Sequence, residues 1–404
     1  SGTGAAHSRR LRPAVLRRCL LAASLFAWVL PAAAEPEWAP FVEPYNQVFP
    51  SLELATATME SDPEEDDPAV VGNEQGLMGV ELSGVRPGTR FALTVRIPGL
   101  ARDSRLTGRI PDVDESVVLA PTIAWDYGLL AGIRQSRPAT VEFELQLGAE
   151  PAETRTQRVR IRSVNDALYF IDEEADEDDL DFNWLFAAYV NEEHPAVQQI
   201  LKEALDAGVV DNFSGYQESD PDDVLKQVYA IWHVLQSRGI RYSNITRTAS
   251  EHANVMSQHV RFIDESLAMT QANCVDGSVL FASVLRKIDI TPVLVLVPGH
   301  MFLGFALDEE GEEWAYLETT LIGDASARRT GGGKGGGRPK PGGPQRPPVS
   351  SDVDASLASF EAAIAEGQRQ VDEAGEAFAD ENNLDYQMID IQAARELGVM
   401  PITR

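Results

Sequence analysis

The spacing of apolar residues changes character near the middle of the chain. From about residue 36 to residue 165, short runs such as Arg90–Ile97 and Thr140–Leu147 alternate apolar with polar side chains. Alternation of this kind is typical of strands with one buried face, and Pro-Gly pairs mark turns between them. Several short strands at this spacing favour a β-sandwich over residues 36–165. We expect it to serve as a spacer or docking module.

From Phe182 onward, apolar residues recur with the period of a helix. Pro195 and Asp220 stand at helix starts, whereas Gly208 and Gly239 stand at helix ends. The predicted helices cover 195–207, 221–238 and Cys274 to about Ile288. The predicted strands are Pro292–Val297, Met301–Leu307 and Trp314–Thr320. Residues 182–323 therefore form a second predicted domain, in which helices accompany a sheet.

Three further segments have patterns of their own. The acidic run Asp172–Asp181 predicts a solvated linker over 166–181, since dense like charges are usually exposed. The Gly- and Pro-rich stretch 324–351 predicts a flexible linker. Residues 352–404 predict a C-terminal helical segment, and apolar Met388–Arg395 is expected to dock it on the second domain.

The N-terminus has the pattern of a secretory signal. Five arginines precede the apolar run Leu20–Leu30, and Pro31–Ala34 supply small residues for cleavage. We expect residues 1–34 to be removed and the protein to be periplasmic or secreted. The apolar run is too short for a stable membrane anchor, so the mature chain is expected to lack an integral membrane segment.

The overall charge narrows the range of partners. The chain carries a net charge of −29, and removing residues 1–34, with five arginines and no acids, leaves −34. So acidic a protein is poorly suited to bind nucleic acid. The acidic runs lack EF-hand spacing, and the histidines lack zinc-ligand spacing. We therefore expect no metal and no cofactor.

Candidate chemistry centres on one cysteine. Once residues 1–34 are removed with Cys19, Cys274 is the remaining cysteine, and it stands at the start of a predicted helix. His300 and Glu318 follow on consecutive predicted strands. A lone thiol followed by a histidine and a carboxylate is typical of a catalytic nucleophile. The imidazole and the positive end of the helix dipole both stabilise a thiolate.

Four short motifs occur in a recognisable order. They are Asn273-Cys274-Val275-Asp276, Leu285–Pro292, Gly299-His300-Met301-Phe302 and Trp314–Thr320. Over residues 180–323 the chain thereby resembles the transglutaminase-like superfamily, the papain-like branch that includes transglutaminases, peptide N-glycanases and bacterial thiol proteinases. The resemblance implies an α+β fold: a transglutaminase-like (papain-like) domain, preceded here by an immunoglobulin-like β-sandwich. Glu318 stands where the family has aspartate, and Asp289 where it has glycine.

The resemblance implies roles for these residues. Cys274 is expected to be the nucleophile, His300 the base and Glu318 the acid that orients the histidine. Asp276 is expected to support the helix start. The candidates for a second oxyanion donor are Gln271, Asn273 and Gln258, and Asn273 and Gln271 are equally suited to capping the helix.

The expected reaction is acyl transfer at an amide of a protein or peptide substrate, through a thioester on Cys274. Water as acceptor would make the protein a peptidase or amidase, which we favour, whereas an amine acceptor would make it a cross-linking transglutaminase. Two alternatives from other classes stay open. One is a binding or assembly protein with the same fold and an inert, buried Cys274. The other is a redox or tethering thiol that acts without His300.

Overall fold

The computed structural model describes residues 36–59, 67–113, 116–172, 179–243, 252–323, 353–380 and 383–403. The expected signal peptide (1–34) and the expected linker at 324–351 lie outside these residues, as do the acids of 60–66 and 173–178. The described residues form a mixed α+β protein with several sheets, which confirms the predicted class at that level.

The first half of the chain is mostly strands. Its helices are α1 (Pro50–Ala55) and α2 (Tyr127–Ala131). Its strands are β1 (Glu37–Val42), β2 (Gln47–Val48), β3 (Val70–Gly72), β4 (Met78–Ser83), β5 (Arg90–Arg96), β6 (Ala101–Arg102), β7 (Ser104–Arg109), β8 (Val117–Ala120), β9 (Ala124–Trp125), β10 (Arg137–Leu147), β11 (Glu153–Ile161), β12 (Asp166–Ile171) and β13 (Leu180–Asp181).

The second half alternates helices and strands. Its helices are α3 (Pro195–Asp206), α4 (Pro221–Ser237), α5 (Ile263–Met269), α6 (Cys274–Lys287), α7 (Val353–Ala374) and α8 (Ile391–Glu396). Its strands are β14 (Arg241–Tyr242), β15 (Val255–His259), β16 (Gln271–Ala272), β17 (Pro292–Val297), β18 (His300–Ala306), β19 (Trp314–Leu317) and β20 (Gln387–Asp390). Short 3-10 helices lie at Asn183–Tyr189, Thr319–Leu321 and Ala377–Ala379.

The chain divides into two compact units. Within the described ranges, the N-terminal unit comprises residues from 36 to 185 together with 252–258 and 398–403. The C-terminal unit comprises the described residues of 186–243, 259–323 and 353–397. Cys274, His300 and Glu318 therefore belong to one unit.

The N-terminal unit is built around two sheets. One has the strand order β1-β4-β8-β3 and the other has the order β2-β11-β10-β5-β7. The edge strands β3 and β2 join in parallel, and the other pairings are antiparallel. Val80 and Leu119 of the first sheet share one hydrophobic core with Leu93 and Phe143 of the second. Along β5 and β10 buried positions alternate with more exposed ones, as the sequence pattern predicted.

The segment expected to be an acidic linker, 166–181, begins and ends in strands instead. Strands β12 and β13 pair antiparallel, and β15 completes a sheet of order β13-β12-β15. Ala167, Leu168 and Ile171 are buried, so the residues before the acids contribute apolar surface to the fold. The many acidic residues that follow make this short apolar stretch hard to recognise as a strand in the sequence.

Three predicted helices of the C-terminal unit are confirmed as α3, α4 and α6. Each begins after a residue whose side chain caps a free backbone N–H, namely His194, Asp220 and Asn273. Asp289, two residues beyond α6, has a φ of +59°. This left-handed conformation favours glycine, and aspartate is one of the few other residues that adopts it.

The four-stranded sheet of the C-terminal unit is antiparallel throughout, and its strand order is β19-β18-β17-β20. Val297 of β17 pairs with His300 of β18, so Pro298 and Gly299 form a two-residue turn. Gly299 has a φ of +71°, a value that favours glycine at the second turn position. The confirmed strands thus place His300 at the first position of β18.

Strand β20 corrects the prediction that residues 352–404 are helical. Gln387–Asp390 pair antiparallel with β17, with Ile389 opposite Leu294. A strand there gives hydrogen-bond partners to an edge of β17, and Ile389 is buried. This strand has only two apolar residues, Met388 and Ile389, which are too few for a period to distinguish strand from helix, and this explains the error.

Helix α7 spans two parts of the C-terminal unit. Near its start, Ser356 and Ser359 hydrogen-bond to Tyr229 and Trp232 of α4. Further along, Gly367 lies against β19: a Cβ there would come within 2.6 Å of the Tyr316 carbonyl. Glycine therefore permits a close approach of helix and strand, which brings the last turns of α7 beside the end of β19.

No helix among the described residues is long and apolar enough to cross a membrane. Within the same ranges, no group of three or more His, Cys, Asp or Glu side chains is arranged to hold a metal ion.

Candidate active site

Cys274 is the first residue of α6, and a reciprocal cap fixes this helix start. The Asn273 side chain accepts a hydrogen bond from the Asp276 N–H at 2.8 Å, and the Asp276 carboxylate accepts one from the Asn273 N–H at 3.0 Å. The N–H groups of Cys274 and Val275 have no acceptor within the helix, because the first turn of an α-helix lacks one. They remain as donors beside the half-buried thiol.

Asp276 is fully buried and pairs with Arg261. Its carboxylate accepts hydrogen bonds from the Arg261 backbone N–H and guanidinium, both at 2.7 Å. Burial raises the pKa of Asp276, and the hydrogen bonds from Asn273 and Arg261 oppose that rise. Since the side chain is enclosed by these donors, Asp276 holds the segment around the cysteine and is not exposed to a substrate.

The hairpin of β17 and β18 positions His300, and β19 positions Glu318. Leu303 pairs with Leu317, and continuing this register by one residue places Glu318 opposite Phe302. His300 lies two residues before Phe302, so His300 and Glu318 are diagonal neighbours on one face of the sheet. The His300 Nε2 lies 2.6 Å from the Glu318 Oε2. Pairing of the consecutive strands β18 and β19 thus brings the His300 imidazole and the Glu318 carboxylate together.

The environment of His300 favours the imidazolium. Burial works against the charged ring, but hydrogen bonds to Cys274 and Glu318 and the negative charges of both raise the pKa of His300 to about 10. Because Nε2 is bonded to Glu318, Nδ1 is the ring atom left for the thiol. Cys274 and Glu318 are thus both neighbours of the His300 imidazole, and Glu318 is joined to it by a hydrogen bond.

Glu318 is held ionised at the other end of this chain. Burial raises the pKa of Glu318. Hydrogen bonds from His300 and Thr320, together with the charge of His300, lower this pKa by more than burial raises it, so the net shift is downward. Oε1 accepts from the Thr320 N–H at 3.0 Å and from its hydroxyl at 2.6 Å. Oε2 accepts a second bond, at 2.7 Å, from the Gln370 amide.

Gln370 is a residue that sequence reasoning missed. It lies on α7, beyond the Gly- and Pro-rich stretch and outside the four motifs. Glutamine near the end of an amphipathic helix is a common surface residue, so no signal in the sequence distinguishes it. Only the packing of α7 on β19 brings it to Glu318.

Tyr242 lies at the edge of the site. Its strand β14 runs parallel to β16, with Tyr242 opposite Ala272, two residues before the cysteine. Burial, and then the charges of Cys274 and Glu318, raise the pKa of Tyr242. The phenol therefore stays protonated at neutral pH and can donate a hydrogen bond. Its side chain is 44% exposed, so a bound molecule can reach it.

The three oxyanion candidates occupy different places. Asn273 uses its side-chain oxygen to cap α6. Gln271 is half-buried on β16, which directly precedes Asn273 and the cysteine. Gln258 lies on β15, in the N-terminal unit. The donors closest in sequence to the Cys274 thiol are the backbone N–H groups of the first turn of α6.

Comparison with models of known protein families and with curated proteins finds no match to this chain. What the site can do therefore follows from its own geometry. A thiol at a helix start, a charged imidazole and a buried carboxylate are the parts that nucleophilic acyl transfer requires. Nothing in this arrangement needs a metal ion to generate the nucleophile.

Proposed function

We propose that the protein is an exported thiol enzyme that cleaves amide bonds of a protein or peptide through a thioester on Cys274. The observation that supports this most directly is the hydrogen-bonded pair of His300 and Glu318 beside the thiol of Cys274 within one compact unit. In this proposal the C-terminal unit is a transglutaminase-like domain. The N-terminal unit is an immunoglobulin-like β-sandwich that serves as a spacer or docking module.

In the first half-reaction, the thiolate of Cys274 attacks the substrate carbonyl carbon. The carbonyl electron pair moves to oxygen, and the N–H groups at the start of α6 stabilise the oxyanion. As the pair returns, the C–N bond breaks and the imidazolium of His300 gives its proton to the departing amine. The products are a thioester and a free amine, and Glu318 keeps the ring oriented throughout.

In the second half-reaction, neutral His300 takes a proton from water, which attacks the thioester carbon. The C–S bond breaks, a carboxylic acid leaves, and the thiolate–imidazolium pair is restored. The exposure of the site supports water as the acceptor: the His300 side chain is 25% exposed and the Tyr242 residue 44% exposed. An amine in place of water would give the cross-linking reaction.

The test is the rate at which iodoacetamide alkylates Cys274 between pH 4 and pH 9, in the chain lacking residues 1–34. That chain has one cysteine, so the label reports on this site alone. An ordinary thiol with a pKa of about 8.5 loses roughly 80-fold in thiolate between pH 8 and pH 6. We expect labelling of the wild type to fall much less, and His300→Ala to restore the ordinary profile.

Slow labelling that rises only at alkaline pH in both proteins would refute the proposal and favour the inert binding module. Fast labelling that is unchanged in His300→Ala would instead favour a redox or tethering thiol. If the proposal holds, the acylated enzyme is exposed to water alone and to water with a primary amine. The mass of the released product shows which of the two accepts the acyl group, and so distinguishes hydrolysis from cross-linking.

A further inference from the structure

The carboxylate of Glu318 has hydrogen-bond donors at both oxygens. Thr320 donates twice to Oε1, and Oε2 accepts from His300 at 2.6 Å and from Gln370 Nε2 at 2.7 Å. An ionised carboxylate can only accept hydrogen bonds, so the amide NH₂ of Gln370 must face it. Thr320 comes from the same turn as Glu318, whereas Gln370 comes from a different element.

A glutamate needs more support here than the aspartate that usually occupies this place. Glutamate has one more rotatable bond, and fixing it costs additional side-chain entropy. The hydrogen bonds from Thr320 fix the position of Oε1. They still allow the carboxylate to rotate about Oε1, which would displace Oε2. A donor to Oε2 that does not belong to the same turn removes this freedom. Oε2 is also the oxygen bonded to His300, so the histidine is fixed along with it.

The packing of α7 is what delivers this donor. The Glu318 N–H donates to the Ala363 carbonyl at 3.0 Å, which ties the end of β19 to the helix. Gly367, one turn later, allows contact with the Tyr316 backbone. Gln370 follows at the next position on the same helix face, because residues three or four apart lie one above the other.

We propose that Gln370 is a positioning residue of the Cys274–His300–Glu318 site: its amide fixes Oε2 of Glu318 and, through it, the ring of His300. The inference rests on the proposed function. It makes α7 a working part of the active site, although the helix lies beyond all four motifs. Gln370 itself takes no part in bond making or breaking.

The test replaces Gln370 by methionine, which is similar in size and lacks the donor. The matched control is Gln368→Met on the same helix, where the exposed side chain bonds only to Asp372 in its own helix at 2.8 Å. Both variants are compared with the wild type in the rate and pH profile of Cys274 alkylation and in the free energy of unfolding.

We expect Gln370→Met to lower the labelling rate at neutral pH about 10-fold and to move the acid limb of the profile up by about one pH unit. The reason is that the ionised carboxylate loses a charge-assisted hydrogen bond. The titratable groups that interact with Glu318 are His300, Tyr242 and Glu366, and Cys274 interacts with His300; both variants leave all four in place. Loss of the hydrogen bond from Gln370 should also lower the unfolding free energy relative to Gln368→Met, so the shifted pH profile, which a merely structural role would not produce, is the deciding readout.

If Gln370→Met has the same pH profile as Gln368→Met while wild-type labelling depends on His300, the inference is wrong and the proposed function stands. If wild-type labelling does not depend on His300, both fall together. Should Gln370→Met fail to fold, Gln370→Asn serves instead, since it keeps the amide but retracts it by one methylene. It must shift the acid limb in the same direction.

Discussion

His300 and Glu318 lie 18 residues apart in sequence, and their side chains meet at 2.6 Å between Nε2 and Oε2. Their positions follow from strand pairing: the Pro298-Gly299 turn starts β18 at the histidine, and the β18–β19 register sets the acid diagonally across from it. The Glu318 side chain is buried and holds the orientation of the imidazole, whereas the His300 side chain is partly exposed. The charged ring can therefore face the thiol in a fixed orientation. The predictions below test this relationship and the elements that maintain it.

The imidazole of His300 should titrate well above an ordinary histidine. In the wild type we expect a pKa of about 10, measured by NMR from the ring carbon shifts. Cys274→Ala removes one of the groups that raise this value, so the pKa should fall in that variant. His233, whose pKa is lowered by burial, is an internal control. Its pKa should be the same in the wild type and in Cys274→Ala. An unchanged His300 titration in Cys274→Ala would show that thiol and ring do not interact.

The same pair makes stability depend on pH. The pKa of His300 is raised on folding, so its contribution is complete below about pH 6.5 and is lost as pH rises toward 10. The pKa of Glu318 is lowered on folding, so its contribution is present above about pH 4.3 and is lost as pH falls. The difference in unfolding free energy between wild type and His300→Gln should therefore be largest near pH 5–6. Urea denaturation at several pH values measures it, and a difference independent of pH would contradict the ion pair.

Changing Glu318 should reduce the reactivity of Cys274 without unfolding the protein. Glu318→Asp retracts the carboxylate by about 1.5 Å, which breaks the contact with His300 and should slow labelling at pH 6 by about 10²-fold. Glu318→Gln keeps the length but removes the charge that stabilises the imidazolium, and should slow labelling by up to about 300-fold, the loss expected when an ordinary thiol with a pKa of about 8.5 replaces a fully ionised one at pH 6. Glu310→Gln, in the exposed turn before β19, is the matched control and should leave the rate unchanged.

Asp276 should matter for stability more than for chemistry. Asp276→Ala removes a carboxylate that pairs with the buried Arg261 guanidinium, and loss of one partner of a buried ion pair costs about 3–5 kcal/mol in unfolding free energy. Asp206→Ala removes an exposed partner of Lys202 and should leave the unfolding free energy almost unchanged. Denaturant unfolding compares the two. Equal losses in both variants would mean that the buried pair does not support the start of α6.

Gly367 should not tolerate a side chain. A Cβ there would lie 2.6 Å from the Tyr316 carbonyl, so Gly367→Ala must push α7 away from β19. We expect a loss of about 1–3 kcal/mol in unfolding free energy and slower labelling of Cys274, because Gln370 moves with the helix. At Gly375 a Cβ would have no neighbour closer than 3.6 Å, so Gly375→Ala is the control and should be near neutral.

The sequence alone predicted the local parts of the site. Capping residues and turn glycines located α3, α4 and α6, because helix ends have a chemistry that can be read from neighbouring residues. The consecutive apolar runs at 292–297, 301–307 and 314–320 likewise predicted the strands β17, β18 and β19, which position His300 and Glu318. These features depend on residues a few positions apart, so their physical cause lies within the window that a pattern covers.

Tertiary structure decided what joins distant segments. The strand at Gln387–Asp390 forms because β17 offers an edge to pair with, and nothing in that short run specifies it. Asp276 acquires its partner, Arg261, from a segment 15 residues earlier. Gln370 reaches Glu318 because Gly367 lets α7 approach β19. The sequence thus determined the candidate site residues and where their elements begin. Long-range packing, which sums many weak contacts between remote residues, determined what holds them in place.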